Sequence, residues 1–483
     1  MFPLPLALIV CGVMTWPVQA ASSKPPNILL ILADDMGYGD AGFAGSQYLR
    51  TPQLDALADS GVVCTQAYVC SPICSPSRAG LLTGRDPRRF GYQANLNQAS
   101  HAYATRADLL GLPSGEHTLA DHLSHAGYQT ALIGKWHLGT SERFHPMERG
   151  FDFFCGMLGG SHGYFPQQDR HRILRNRKPV TEFSSPYLTD FFTDEALRWL
   201  DRPDVQKTPW FLFMSYNAPH GPLQATEEDL KNVSHILDPK RRTYAAMMFA
   251  LDRSIGRLVQ WLKTHRQREQ TLIVFLSDNG GATNNASWNG PLSGVKGCLK
   301  EGGIRIPMIW SHPGEIPAQS TWHDPISSLD LLPSFMALAR EQPLPLRSPL
   351  PHEDSRNWKQ LNKIYGSFDG LNVIPWFKDG KNGAPIMERT FFWRCQGQAA
   401  LLNGAWKLIR PSHRPVQLFQ PGIDASESSD QLMERPDQAQ KLLKQLAHWE
   451  SMLPTAPLWS SSPYCQGQSA SHYDHYKPRE EPR

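Results

Sequence analysis

The chain has 483 residues, of which 40% are hydrophobic and 19% charged, and its formal net charge is +3. That length buries an ample core and leaves room for two domains, or one large domain with an appendage. A charge balance so close to neutral, with no Lys/Arg block, argues against nucleic acid or a membrane surface as the partner. Any preference for anions has to come from a local site.

Taken in chain order, residues 1–20 read as an export signal. Residues 4–13 are mostly apolar, Val18-Gln19-Ala20 offers a cleavage site, and Thr15 and Pro17 end the apolar run too early for a membrane span. The expectation is an exported protein, periplasmic or extracellular if the source is bacterial. Short runs rich in apolar and β-branched residues at 28–33, 130–133, 210–214 and 271–276 read as buried strands. Between the last two, Met248, Leu251, Ile255, Leu258 and Leu262 recur at helical spacing and form one apolar stripe. Alternating strands and helices predict an α/β domain over residues 21–384, with a large, mostly parallel or mixed central sheet flanked by helices. A Pro-rich polar stretch at 341–357 reads as a loop or linker. Strand patterns at 390–394, 399–402 and 406–409, separated by Gly397 and Asn403-Gly404, then predict a short antiparallel sheet. With a helix over 436–453, they define a smaller C-terminal α+β domain, residues 385–483, whose last twenty residues are polar and frayed.

Eight cysteines are present: Cys11, Cys64, Cys70, Cys74, Cys155, Cys298, Cys395 and Cys465. Export permits disulfides, and buried free thiols are an equal alternative. Removal of Cys11 with the signal leaves an odd number, which consumption of Cys74 by modification would explain.

Each buried strand runs at once into polar groups: Asp34-Asp35, Lys135-Trp136-His137, Asn217-Ala218-Pro219-His220, and Ser277-Asp278-Asn279. In open α/β sheets, ligands bind beyond the carboxyl ends of the strands. Taken singly, an aspartate there can cap a helix, His220 can be a turn residue and Lys135 a solvated charge. Four coincidences at four strand ends favour one shared crevice. Asp34, Asp35, Asp278 and Asn279 are hard oxygen donors, a set that suits Ca²⁺ or Mg²⁺ rather than zinc. Without a cation, three neighbouring carboxylates repel one another and resist ionising together.

The most specific segment is Cys74-Ser75-Pro76-Ser77-Arg78-Ala79-Gly80-Leu81-Leu82-Thr83-Gly84-Arg85. It resembles, at every fixed position, the signature of the formylglycine-dependent (type I) sulfatases, within the arylsulfatase and alkaline phosphatase superfamily. Asp34-Asp35-Met36-Gly37-Tyr38-Gly39, Gly134-Lys135-Trp136-His137-Leu138-Gly139, Ala218-Pro219-His220, Ser277-Asp278-Asn279-Gly280-Gly281 and Gly294-Val295-Lys296-Gly297 are similar to further motifs of that family. Gly150-Phe151-Asp152-Phe153-Phe154 and the C-terminal Trp393-Arg394 and Gly404-Ala405-Trp406-Lys407-Leu408 extend the likeness toward bacterial exported polysaccharide sulfatases, including those known as galactosamine-6-sulfatases or carrageenan sulfatases.

The resemblance implies that a maturation enzyme oxidises Cys74 to formylglycine (3-oxoalanine), whose hydrate attacks sulfur and then expels sulfate. It implies a cation, Ca²⁺ before Mg²⁺, held by Asp34, Asp35, Asp278, Asn279 and residue 74. It gives Arg78 the holding of the nucleophile, and gives Lys135 and Lys296 the neutralising of sulfate. Asp278 accepts the attacking hydroxyl's proton, His137 takes the second hydroxyl's proton, and His220 serves the leaving alcohol. Ser161 and His162 stand where some members contact sulfate, and a turn with a surface histidine is the alternative. Asn232 and Asn285 fit the glycosylation triplet, which also arises by chance, and Tyr164, Phe165 and Trp288 are aromatics able to stack on sugars, with core packing as the default. The implied substrate is a sulfated carbohydrate or an aryl sulfate. The alternatives are a phosphodiester or phosphonate monoester hydrolase on the same scaffold and a non-catalytic glycan-binding protein.

Overall fold

A computed structural model of the chain describes residues 24–99, 106–169, 172–340, 368–379, 389–459 and 481. The expected signal segment, the 341–357 linker, the boundary at 385, Cys11 and Cys465 lie outside the described residues.

A ten-stranded sheet forms the centre of the fold, and its spatial order differs strongly from its chain order. Five neighbouring strands are mutually parallel: Thr271–Ser277, Asn27–Ala33, Trp210–Ser215, Gln129–Lys135 and Phe153–Met157. Antiparallel neighbours, Met308–Ser311 on one side and Leu174–Arg175 on the other, extend it at both edges. The mixed, mostly parallel sheet expected from the pattern is what forms.

The central strands are apolar on both faces because helices cover both. Ile28, Leu30 and Leu32 point into one layer with Leu81, Leu82 and Phe335, whereas Leu29 and Ile31 point into the other with Phe191, Met248 and Leu251. The 26-residue helix Pro239–Thr264 buries Met248, Leu251, Ile255, Leu258 and Leu262, the whole stripe read from the sequence. Asp238 caps it by accepting the Arg241 amide, and a proline follows at the first helical position.

Parallel registry lines up the carboxyl ends of the strands. Ala33 stands beside Ser277, and Gly134 beside Ser215. The polar residues after each strand therefore converge on one edge. Lys135 is itself a strand residue, which extends the expected strand by two residues, and its full burial excludes the alternative of a solvated charge. Gly134 is required there, since a Cβ on it would meet the Ser215 carbonyl oxygen at 1.9 Å.

The C-terminal strands Thr390–Cys395, Gln398–Asn403, Trp406–Arg410 and Gln417–Phe419 form a four-stranded antiparallel sheet. The fourth strand is too short for a periodicity argument. One face of this sheet (Phe391, Trp393, Ala400, Ile409) belongs to the main core, and the other (Leu401, Leu408, Leu418) packs on Leu442 and Leu446 of the helix Pro436–Ser451. Trp393 Nε1 donates to the Val69 carbonyl at 2.7 Å, which ties the sheet to the segment just before Cys74. The six described cysteines are all buried and free, as the apolar alternative expected. No helix among the described residues is long and apolar enough to cross a membrane.

Truncating the fully buried Leu442 to Ala removes the contact that holds the last helix on its sheet. The expected cost is about 2–5 kcal/mol, read from the shift in urea midpoint.

Candidate active site

Cys74 opens the helix Cys74–Thr83, whose ten residues are all buried. Ile73 at the N-cap has no side-chain oxygen to give, so part of the first turn is satisfied from elsewhere: Asn95 Oδ1 accepts the Ser75 amide at 2.9 Å. The Ser75 hydroxyl in turn bonds Tyr92 Oη and the His137 carbonyl, both at 2.6 Å. Cys74 Sγ points at the strand ends, 3.8 Å from both Asp34 Oδ1 and Asp35 Oδ1 and 2.9 Å from Lys296 Nζ.

One turn further along the helix, the Arg78 guanidinium forks onto Asp278 Oδ2 at 3.0 and 2.8 Å. It also donates to Ser215 Oγ at 2.6 Å and to the Lys135 carbonyl at 3.2 Å. Lys135 Nζ sits 2.6 Å from Asp34 Oδ2. Lys296 Nζ donates to both oxygens of Asp35, at 2.6 and 2.7 Å. The three carboxylates of Asp34, Asp35 and Asp278 are thus answered by the three cations Arg78, Lys135 and Lys296. Repulsion among the carboxylates is relieved by side chains, so repulsion alone does not call for a metal.

The donor set is nevertheless one that could hold a metal ion. Oxygens of Asp34 and Asp35, Cys74 Sγ and a His220 ring nitrogen all lie within 4.8 Å of one another. Asn279 Oδ1 is buried and has no hydrogen-bond partner, while its amide nitrogen donates to Asp35 Oδ1 at 2.7 Å. An orphaned amide oxygen beside carboxylates fits a hard divalent cation. Asp278 stands at the side of this group, its Oδ2 on Arg78 and its Oδ1 accepting the Asp35 amide at 3.1 Å.

Burial and charge set the protonation of the cluster. Burial pushes Asp34 up, yet Lys135, His220 and Arg78 more than offset it and hold the carboxyl well below its usual range. Asp35 is lowered too, with burial opposed chiefly by Lys296. Asp278 goes the other way, to about 6, because burial and the Asp34 charge outweigh Arg78. Burial pushes the Cys74 thiol up to about 12 in spite of Lys135 and Lys296, so the unmodified thiol is protonated and a poor nucleophile at neutral pH. His137 is held far below its ordinary value by burial and by Lys135 and Arg78, which leaves it neutral.

His220 is the point of tension. Its Nδ1 donates to the Gly221 carbonyl at 2.6 Å, which leaves Nε2 facing Asp35 Oδ2 at 3.6 Å. Burial lowers its pKa against the pull of Asp34 and Asp35, so the protonated form needed by a general acid belongs to mildly acidic pH rather than to neutrality.

Ser161 is exposed, on a loop whose Gly160 lies against the His137 ring; a Cβ there would meet His137 Nε2 at 2.4 Å. The His162 ring is buried rather than on the surface, with Nδ1 2.6 Å from the Gly163 carbonyl and 3.6 Å from Asp169 Oδ2. Tyr164 is fully buried, so core packing holds for it rather than the sugar platform: its hydroxyl bonds the Asn217 and His220 carbonyls at 2.6 and 2.9 Å and so positions the His220 turn. Phe165 and Trp288 are half-buried. Asn285 is 1% exposed and donates to the Asp35 carbonyl at 3.0 Å, so it props Asp35, whose φ is +62°, and is closed to a glycan. Asn232 is exposed at the end of its helix. Ser215 and Asn95 are supporting residues that no motif flagged, and Asn285 is one that only the glycosylation triplet touched.

The family model described as Sulfatase matches residues 26–341. The chain belongs to the sulfatase family. N-acetylgalactosamine-6-sulfatase of Canis lupus familiaris is 35% identical over 66% of this chain, which spans 63% of that relative. The Mus musculus enzyme of the same name is 34% identical over 81% of this chain and 73% of its own length. Among solved structures, Ps i-CgsB in complex with k-i-k-neocarrahexaose superposes with a TM-score of 0.81 at 34% identity, covering 94% of this chain and 98% of that one.

Arg78→Lys keeps the charge in this sulfatase but loses the fork on Asp278. Its kcat/KM on an aryl sulfate is expected to fall about 100-fold, because a lysine point charge cannot reproduce a two-bond guanidinium contact.

Proposed function

We propose that this protein hydrolyses the sulfate esters of a carbohydrate, with formylglycine derived from Cys74 and a divalent cation, calcium before magnesium. The observation that carries the reading is the seat of Cys74 Sγ: a helix start among Asp34, Asp35 and Lys296, with a thiol too strongly protonated to act as it stands. Formylglycine supplies, once hydrated, two hydroxyls on one carbon, one to attack sulfur and one to expel sulfate as the aldehyde re-forms. The cation, held by Asp34, Asp35, Asp278, Asn279 and residue 74, supplies Lewis-acid compensation of charge on the sulfate oxygens.

The side chains do the rest. Arg78, pinned by Asp278 and Ser215, holds the nucleophile's position. Lys135 and Lys296 share their protons between the carboxylates they already meet and the sulfate oxygens. Asp278, poised near 6, accepts the proton of the attacking hydroxyl, and neutral His137 accepts that of the second. His220 Nε2 serves the leaving oxygen and is most effective as an acid below neutral pH. Ser161 follows Gly160, the residue packed against His137, and is assigned with His162 to sulfate contact only as the resemblance implies.

Support for a sugar as the substrate comes from the relatives, which are named for N-acetylgalactosamine 6-sulfate or hold a bound neocarrahexaose. Export through residues 1–20, maturation by a formylglycine-generating enzyme and a C-terminal domain from residue 385 belong to the same reading.

Mass spectrometry of the Cys74 peptide from active protein is expected to show the aldehyde or its hydrate; full activity from protein carrying a plain thiol defeats the mechanism. Dialysis against a chelator is expected to abolish turnover, with calcium restoring it. Paired assays on an aryl sulfate and an aryl phosphodiester decide the anion, and a large preference for the diester overturns the sulfatase reading.

A further inference from the structure

Lys296 lies on a loop with no regular structure, between Gly290 and Glu301, yet its ammonium is held within 2.9 Å of both Asp35 and Cys74. Its own amide is tied to the Gly281 carbonyl at 3.0 Å, and that of Gly297 to the Pro72 carbonyl at 2.9 Å. The two ends of the loop are closed on each other by the Gly302 amide, which donates to the Ser293 carbonyl at 2.6 Å. The same two ends meet a side chain from far along the chain: Glu427 Oε2 accepts the Ser293 hydroxyl at 3.1 Å and the Glu301 amide at 2.8 Å.

Behind that contact is a fully buried ion cluster. Lys407 Nζ bridges Glu301 Oε1 at 2.6 Å and Glu427 Oε1 at 2.8 Å. Glu301 Oε2 takes the Tyr68 hydroxyl at 2.8 Å and Arg305 at 3.4 Å. Two carboxylates and two cations balance in a place from which water is excluded. Replacing such a cluster by apolar side chains is often neutral or stabilising, so stability alone is a weak reason to build one. Its geometry supplies a better reason: Lys407 belongs to the C-terminal strand Trp406–Arg410 and Glu427 to the turn after Gln417–Phe419, whereas both of their anchor points flank Lys296.

We infer that Lys407 and Glu427 are positioning residues for Lys296, through which the C-terminal sheet sets the place of the ammonium that meets the sulfate anion. This rests on the role given to Lys296 in the proposed function. Neither residue reaches the reacting atoms. They fix the loop ends, and through them the reach of one charged side chain.

The test is a double-mutant cycle on the mature, full-length enzyme, with kcat and KM measured on an aryl sulfate and competitive inhibition by inorganic sulfate measured alongside. Lys407→Met is expected to lower kcat/KM about 10- to 100-fold and to weaken inhibition by sulfate. In a Lys296→Ala background the same substitution is expected to change little, because the group it positions is already gone. Equal losses from Lys407→Met in both backgrounds overturn the inference. A Lys296→Ala enzyme of full activity overturns instead the role of Lys296, so the two failures are distinguishable. Glu427→Gln keeps an acceptor oxygen for Ser293 and Glu301 while removing the charge, and it serves as the second variant should Lys407→Met not fold. The same cycle applies to it, and additivity there counts equally against the inference.

Discussion

Arg78 is 1% exposed, and its guanidinium bonds at once to Asp278, to Ser215 and to the Lys135 carbonyl. Four elements meet at that group: the helix that carries it and the ends of three parallel strands. A buried guanidinium is tolerable only with its donors satisfied and its charge answered. The carboxylate that answers it is itself kept beside Asp34 and Asp35, which in turn need Lys135 and Lys296. The balance of charge at the strand ends is therefore a condition of folding as much as of chemistry. A divalent cation added to a neutral set of three carboxylates and three cations leaves a site with net positive charge, which is what a sulfate ester requires.

Much of this was legible from the residues. Apolar runs of strand length gave the central strands, and the polar groups that follow each of them pointed to a shared crevice because parallel strands end on one edge. The stripe from Met248 to Leu262 showed a long helix. What stayed hidden was of a different kind. Val62–Cys64 and Gln417–Phe419 are three residues long and carry no period. Ser215, Asn95 and Asn285 act through hydrogen bonds to residues well separated from them in the chain, Ser215 through two, and nothing in their local sequence marks those partners. Asn285 even carried a misleading signal, since its triplet fits a surface modification while its side chain is buried under Asp35. The charge argument for a metal was also incomplete, because three cations were known from motifs but their pairing with the carboxylates is a matter of geometry.

The aromatic residues follow the same lesson. For Tyr164, sugar stacking and core packing are both open from the sequence, and core packing holds: its ring is stacked on Tyr187 and its hydroxyl fastens the His220 turn. Buried tyrosines commonly find such a partner for the hydroxyl.

Cys74 is 1% exposed at the foot of a helix that is buried along its whole length. A second protein cannot close its own active site around a side chain so enclosed without pulling the helix out of the core, and that core includes both the strand ends and the contact with Trp393. Any enzyme that alters this residue therefore meets it while the chain is still open. The order of events matters more than the affinity of either partner: on the proposed mechanism, a chain that folds first encloses Cys74 before the enzyme that would modify it can reach it.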